Sequence, residues 1–284
     1  MEPLSYEKRG YLNEDFRLFH LADNNLGAMD YHYHTFHKII ILLAGRSGYA
    51  IEGERYALQP GDFVLVGRGS IHRPEVEKGA FYERMILYIS PEYLASFRSE
   101  DCDLETCFRR AQADFHYVYR SGPGDQIKPL LQALEKVLSE REFGARLLSR
   151  AIFLQLMIEF NRTTARNRYI TAAFGDSKIV SILQYLNLHL KEPLSIDELA
   201  ARFYISKYHM MRRFKEETGY TIHSYITEKR LLLARQLLHT GQPVTEVCFQ
   251  AGYQDYSTFS RAYRRRFGAS PSADQRRRQS VIGG

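Results

Sequence analysis

The apolar positions of this 284-residue chain change period near Pro91. From about residue 15 to 90 they fall in short runs. Ile39–Leu43 ends at Ala44-Gly45, Tyr49-Ala50-Ile51 enters a tight turn at Glu52-Gly53-Glu54, and Arg55–Leu58 leads out of it. Gln59-Pro60-Gly61-Asp62 is a second turn before Phe63–Val66, and Arg84–Ile89 supplies one more strand. Short strands broken by Gly and Pro every ~8–12 residues predict an all-β sandwich or barrel. Beyond Pro91 the period becomes helical. Ile127, Leu130, Leu131, Leu134 and Leu138 form one stripe, and Leu147, Leu148, Ile152, Leu156 and Phe160 form another, with a bend at Glu140–Phe143. The pair carries more apolar residues than one stripe over a small barrel needs, so it is expected to serve both the core and a contact with a second copy. The Thr, Ala, Arg and Asn content of Thr163–Asp176 predicts a linker.

The last hundred residues repeat a helix-turn-helix pattern. In the first unit Ser195-x-x-Glu198 is a capping box, with Leu199, Ala200 and Phe203 on one face. Ser206 caps the second helix, Met210 and Phe214 point inward, and Gly219 ends it. Lys207, Tyr208, Met211, Arg212 and Lys215 remain outward, a cationic and aromatic face suited to a major groove. In the second unit Val244, Val247 and Ala251 face inward, Gly252 terminates, and Asp255 caps a helix whose inner face is Phe259, Tyr263 and Phe267. Tyr256, Ser257, Thr258, Arg261, Arg264 and Arg265 are its candidates for DNA, the hydroxyls lying near a helix N-terminus where phosphate is favoured. Between the units, Ile222–His239 reads as one long helix ending near Gly241. Its length of about 27 Å makes it a strut able to hold two helices near the ~34 Å spacing of successive major grooves.

Charge agrees with this division. The net charge is +6, but residues 176–284 alone hold 17 Lys and Arg against 10 Asp and Glu, which leaves residues 1–175 at −1. A polyanionic partner is expected for the second half. Cys102, Cys107 and Cys248 are an odd set without metal-ligand spacing and read as reduced thiols. The charged N-terminus and the shortness of the longest apolar run, Ile39–Ala44, predict a cytoplasmic protein with no membrane partner.

Leu199-Ala-Ala, Ser206-x-x-His-Met-x-Arg-x-Phe-Lys215, Ala251-Gly-Tyr-x-Asp-x-Ser-x-Phe-Ser-Arg261 and Phe267-Gly-x-Ser-Pro271 resemble the AraC/XylS family of bacterial transcription regulators over about 100 residues. The resemblance implies that the two second helices read adjacent major grooves, with Tyr208, Met211, Arg212, Ser257 and Arg261 as base readers. Family members commonly place Tyr-Arg soon after the Ser-Pro; this chain has Asp274-Gln275 there, followed by Arg276-Arg277-Arg278.

His32-x-His34, Pro60-Gly61-Asp62 and His72-Arg73 resemble the cupin-like barrel that precedes the DNA-binding half in many such regulators, over about 60 residues. Cupin enzymes add a glutamate to three histidines to hold a divalent metal. His37-Lys38 stands where that glutamate would follow, and a cation there opposes a metal, although an all-nitrogen site using His37 is chemically open. His32, His34, His37, Lys38, His72 and Arg73 are therefore expected to line a cavity for a small polar or anionic effector, a sugar or small acid, with no cofactor. The expected architecture is multi-domain α and β: a cupin-like β-barrel with a helical dimerisation segment at 1–162, a linker at 163–176, and an all-α double helix-turn-helix domain at 177–284. The expected function is that of a ligand-responsive, promoter-binding homodimer and not an enzyme, with RNA polymerase as a further candidate partner.

Overall fold

The computed structural model describes residues 12–282 except 25, 28, 123 and 173–176. Packing divides the chain into two units, residues 1–175 and 176–284.

The first unit carries strands β1 (Phe16–Asp23), β2 (His37–Gly45), β3 (Ser47–Ile51), β4 (Glu54–Leu58), β5 (Asp62–Val66), β6 (His72–Glu75) and β7 (Tyr82–Ile89). Helices α1 (Pro91–Ala95) and α2 (Thr106–Asp114), strand β8 (Val118–Arg120), and helices α3 (Ile127–Ser139) and α4 (Ala145–Ala165) follow. All pairings are antiparallel, in a five-stranded sheet β1-β7-β2-β5-β8 and a three-stranded sheet β4-β3-β6. Glu52 and Gly53 both have positive φ, 48° and 83°, as a two-residue hairpin between Ile51 and Glu54 requires. The unbroken apolar run Ile39–Leu42 is buried throughout, because one face of β2 meets the helices and the other the barrel interior. Phe16 stacks on Phe153 of α4 at 4.2 Å, and Phe63 meets Phe160 at 4.9 Å.

The two expected helical stripes form α3 and α4, which bury Leu131, Leu134, Ile152, Leu156 and Phe160. Leu138, Phe143, Leu147 and Leu148, around the turn at Gly144, are exposed. The segment expected as a linker begins inside α4, where Thr163 and Thr164 are buried. Its next residues are fastened to the β8 edge, with Arg120 N donating to Arg168 O at 3.0 Å and Ile170 N to Val118 O at 2.8 Å.

Every element of the second unit among the described residues is a helix: α5 (Ser177–Leu188), α6 (Ile196–Arg202), α7 (Lys207–Thr218), α8 (Ile222–His239), α9 (Val244–Gln250), α10 (Tyr256–Phe267) and α11 (Pro271–Ile282). Helix α5, which sequence reading did not separate from its surroundings, buries Ile179, Ile182, Leu183 and Leu186. The second core gathers Leu231, Ala234 and Leu238 of α8 with Val247, Ala251, Phe259 and Tyr263. No helix among the described residues is long and apolar enough to cross a membrane.

Candidate nucleic-acid interface and ligand chamber

In the first helix-turn-helix unit α6 leads through a tight turn into α7. Ser195 Oγ accepts from Glu198 N at a long 3.5 Å. The reciprocal bond from the Glu198 carboxylate to the Ser195 amide does not form among the described residues, so the expected capping box is half made. Ser206 Oγ accepts from His209 N at 3.3 Å, and Gly219 closes α7 at φ 74°. Met210 and Phe214 are buried, and the ring of Phe214 meets Tyr225 of α8 edge-on at 5.5 Å. This leaves Lys207, Tyr208, Met211, Arg212 and Lys215 exposed together on the outer face. Three cations of α7 lean on carboxylates: Lys207 on Asp197 at 2.8 Å, Arg212 on Glu216 at 3.8 Å, and Arg213 on Glu217 at 3.2 Å. Tyr204, in the turn before α7, is 90% exposed at φ 49° and was not singled out from the sequence. An aromatic residue in a helix-turn-helix turn is the signal that could have found it.

The second unit repeats the frame. Asp255 accepts from Thr258 N at 2.7 Å, an interaction that holds its carboxyl below the usual range, and Gly268 closes α10 at φ 74°. Phe259 and Tyr263 are fully buried, while Tyr256, Ser257, Thr258, Arg261, Arg264 and Arg265 are exposed. Helix α10 contains no acidic residue, and Arg261, Arg264 and Arg265 form no ion pair among the described residues. Arg266 turns inward, gripping Glu228 of α8 at 2.8 and 2.9 Å.

The residues at 274 and 275 dock the last helix. Asp274 accepts from Tyr263 Oη at 2.6 Å and from Arg235 Nε at 3.1 Å. Burial works to raise the Asp274 carboxyl, but these partners outweigh it and hold it below the usual range. Gln275 Nε2 donates to Gln242 O at 2.7 Å. The side chains of Arg277 and Arg278 lie outside the described residues. A second knot joins the two helix-turn-helix units directly. Arg230 of α8 donates to Leu190 O at 2.8 Å and Glu192 O at 2.7 Å, just before α6. Gly252, at φ 87°, lies so close that a Cβ there would sit 2.5 Å from Leu190 O.

In the barrel, His32 and His72 face each other across a single antiparallel bridge, His32 N donating to His72 O at 3.1 Å and His72 N to His32 O at 2.9 Å. Gly69 N donates to His34 O at 2.8 Å. The three imidazoles converge, with ring centres 4.4 to 5.1 Å apart, and all are buried. Burial lowers the His72 pKa, and Lys38, His32 and His34 lower it further. Tyr49 stacks on His72 at 5.9 Å, and its buried hydroxyl has no hydrogen-bond partner among the described residues. Lys38 is buried beside them; burial first and then Arg84 push it down to about 7.

Two of the expected cavity residues are committed elsewhere. His37 donates from Nε2 to Glu105 at 2.9 Å, accepts at Nδ1 from Arg68 N, and stacks on Phe108 at 4.1 Å. Neighbouring residues of a strand point to opposite faces, so Lys38 faces the histidine cluster while His37 faces α2. Arg73 donates to Glu75 at 2.7 Å and lies over the Tyr31 ring at 4.2 Å. Glu105, the partner that claims His37, comes from a segment 68 residues away, and nothing local marked it.

Two helix-turn-helix units on one strut, following in sequence a β-rich domain with a buried cluster of histidines, define a DNA-binding transcription regulator that carries its own ligand-binding domain. The profile of the AraC-like ligand binding domain matches residues 18–157, and a helix-turn-helix domain profile matches residues 199–277. The chain belongs to the AraC family. It is similar to the HTH-type transcriptional activator RhaS of Klebsiella pneumoniae (strain 342), 25% identical over 252 residues that cover 88% of this chain and 89% of that protein. RhaS of Citrobacter koseri is 26% identical over 255 residues, covering 88% and 89%. Among solved structures, the DNA-binding domain of AdpA in complex with a target DNA is 28% identical, covers 37% of this chain and 95% of that one, and gives a TM-score of 0.36. A probable AraC family transcriptional regulator from Rhodopseudomonas palustris CGA009 is 26% identical, with coverage of 36% and 98% and a TM-score of 0.34.

Proposed function

We propose that this regulator is a cytoplasmic, non-enzymatic homodimer that binds promoter DNA through α7 and α10 and responds to a small polar effector held in the barrel. Tyr208, Met211 and Arg212 of α7, with Ser257 and Arg261 of α10, read bases. Lys207, Lys215, Tyr256, Thr258, Arg264 and Arg265 hold the backbone, and Tyr204 joins them. The observation that carries this reading is that each helix is capped at its start, buried on one face, and exposes these side chains on the other. The effector, a sugar or small acid, is met by His32, His34, Lys38 and His72. Arg73 and His37 support the wall rather than touch it. The domain organisation is a sensing and dimerising unit through α4, a connecting segment, and the reader from α5 onward. The apolar tip Leu138, Phe143, Leu147 and Leu148 is the dimer contact. The effector acts by favouring one of two arrangements of the dimer, and the relatives' role as activators makes RNA polymerase the partner downstream.

Fluorescence anisotropy with DNA from the promoter beside its own gene tests the DNA-binding half, with a scrambled duplex as control. Equal affinity for both duplexes refutes sequence-specific reading. A thermal-shift screen against sugars and small acids tests the barrel; the absence of any hit that His72→Ala abolishes counts against the effector assignment.

A further inference from the structure

Phe259, Tyr263 and Arg266 stand on one face of α10, and that face meets the strut α8. The first two are buried aromatics, as a core-facing stripe requires; the third is an arginine. Its Nε donates to both carboxylate oxygens of Glu228 on α8, at 2.8 and 2.9 Å, and Glu228 is buried. The Arg266 guanidinium lies over the Phe267 ring at 5.6 Å, and that of Arg235 lies over the same ring at 4.7 Å. Glu228 is the one acidic residue of α8, and α10 has none. A buried ion pair is a poor source of stability, because apolar side chains of similar volume in its place are often neutral or stabilising. A methionine at 266 would simply complete the stripe. The pair therefore has a reason other than stability, and the rest of the helix supplies one.

Successive residues of a helix lie ~100° apart, so Arg264, Arg265 and Arg266 fan round α10. Arg264 and Arg265 are exposed with Arg261, whereas Arg266 is held back against α8. An arginine that swung outward here would join a row of cations and add affinity for any phosphate backbone, whatever its sequence. Affinity of that kind lowers the ratio of specific to non-specific binding. We propose, on the reading of α10 as a DNA-contacting helix, that Glu228 is a positioning residue for DNA recognition. By holding Arg266 in the α8–α10 interface it fixes the roll of α10 and withholds a fourth arginine from the phosphate backbone. Glu228 acts through Arg266, and sequence discrimination, rather than stability, is what the pair provides.

The test is the salt dependence of binding by the full-length chain to the promoter duplex and to a scrambled one. It is run at pH 8, above the value of about 7 to which burial pushes the Glu228 carboxyl. Glu228→Gln keeps the shape of the side chain and removes its charge. It should steepen the slope of log affinity against log salt by about 0.9, the effect of one more phosphate neutralised, and lower the ratio of promoter to scrambled affinity. Combining Glu228→Gln with Arg266→Met should restore the wild-type slope. An unchanged slope in Glu228→Gln, or a steepening that persists in the double variant, overturns the proposal. Should Glu228→Gln fail to fold, the double variant decides. A wild-type slope then supports the withholding of Arg266, and a slope shallower by about 0.9 means that Arg266 already meets phosphate and overturns it. Arg264→Ala separates the two levels of failure. If it leaves the slope unchanged, α10 does not meet DNA and the underlying reading falls together with the role of Glu228. If it reduces the slope while Glu228→Gln is silent, only the role of Glu228 falls.

Discussion

In the first helix-turn-helix unit Lys207, Arg212 and Arg213 each rest against a carboxylate, whereas in the second Arg261, Arg264 and Arg265 stand with no acidic residue on their helix. The cores beneath are alike, with Phe214 and Phe259 equally buried, a serine or aspartate at the start, and a left-handed glycine at the end. The same scaffold therefore carries two electrostatic surfaces. An arginine already paired gives up its partner when it meets a phosphate, so its net gain is smaller than that of an unpaired one. The second helix presents arginines with no acidic residue on their own helix, and the first presents cations already resting on carboxylates.

The shared core should show the largest effects. Phe214→Ala and Phe259→Ala each remove a fully buried ring and are expected to cost about 3–5 kcal/mol, read from urea unfolding of the full chain. If one substitution is nearly silent, the units are not equivalent frames. Arg212→Ala and Arg261→Ala should each weaken specific binding by ~1–3 kcal/mol and relax sequence preference; wild-type anisotropy curves for both would remove them from the base readers. The caps differ in their response to acid. Ser206→Ala should cost about 1 kcal/mol at any pH. The Asp255 carboxyl is depressed in the folded state by the Thr258 amide, so its cap is intact above the unfolded value of about 4 and is lost as pH falls through the lower folded value. The protection factors of amides at the start of α10, but not of α7, should therefore fall on acidification. Finally, Arg264→Ala should reduce the salt slope of DNA binding by roughly 0.9, and Lys207→Ala by less, because Asp197 already neutralises that lysine. Equal slopes for the two would erase the contrast.

What the sequence revealed depended on how local the cause was. Ser206, Asp255, Gly219 and Gly268 act on their own turns, and the strut bounded as Ile222–His239 is α8 residue for residue. Strand β2 was legible because Ile39–Leu43 has no polar interruption. The Ser195-x-x-Glu198 spacing promised a reciprocal bond that an exposed glutamate does not make. Commitments made across the fold were invisible. His37 looked like its neighbours until Glu105, the residue before α2, claimed it, and Arg73 looked free until Glu75 and Tyr31 did the same. Asp274 and Gln275 departed from the family's pattern, yet they find partners in α8, α10 and the turn before α9. Thr163 and Thr164, linker-like by composition, are buried by the packing of α4, a contact that composition does not reveal.

The meeting of Arg230, Leu190 and Gly252 has a consequence for the operator. A strut alone would leave each reading helix free to swivel about its own end, but this contact fixes the phase between them. DNA turns about 34–36° with each base pair. A single base pair inserted between the two half-sites would rotate one out of register with a pair of helices that cannot follow, so the spacing of the binding site should be as strictly specified as its sequence.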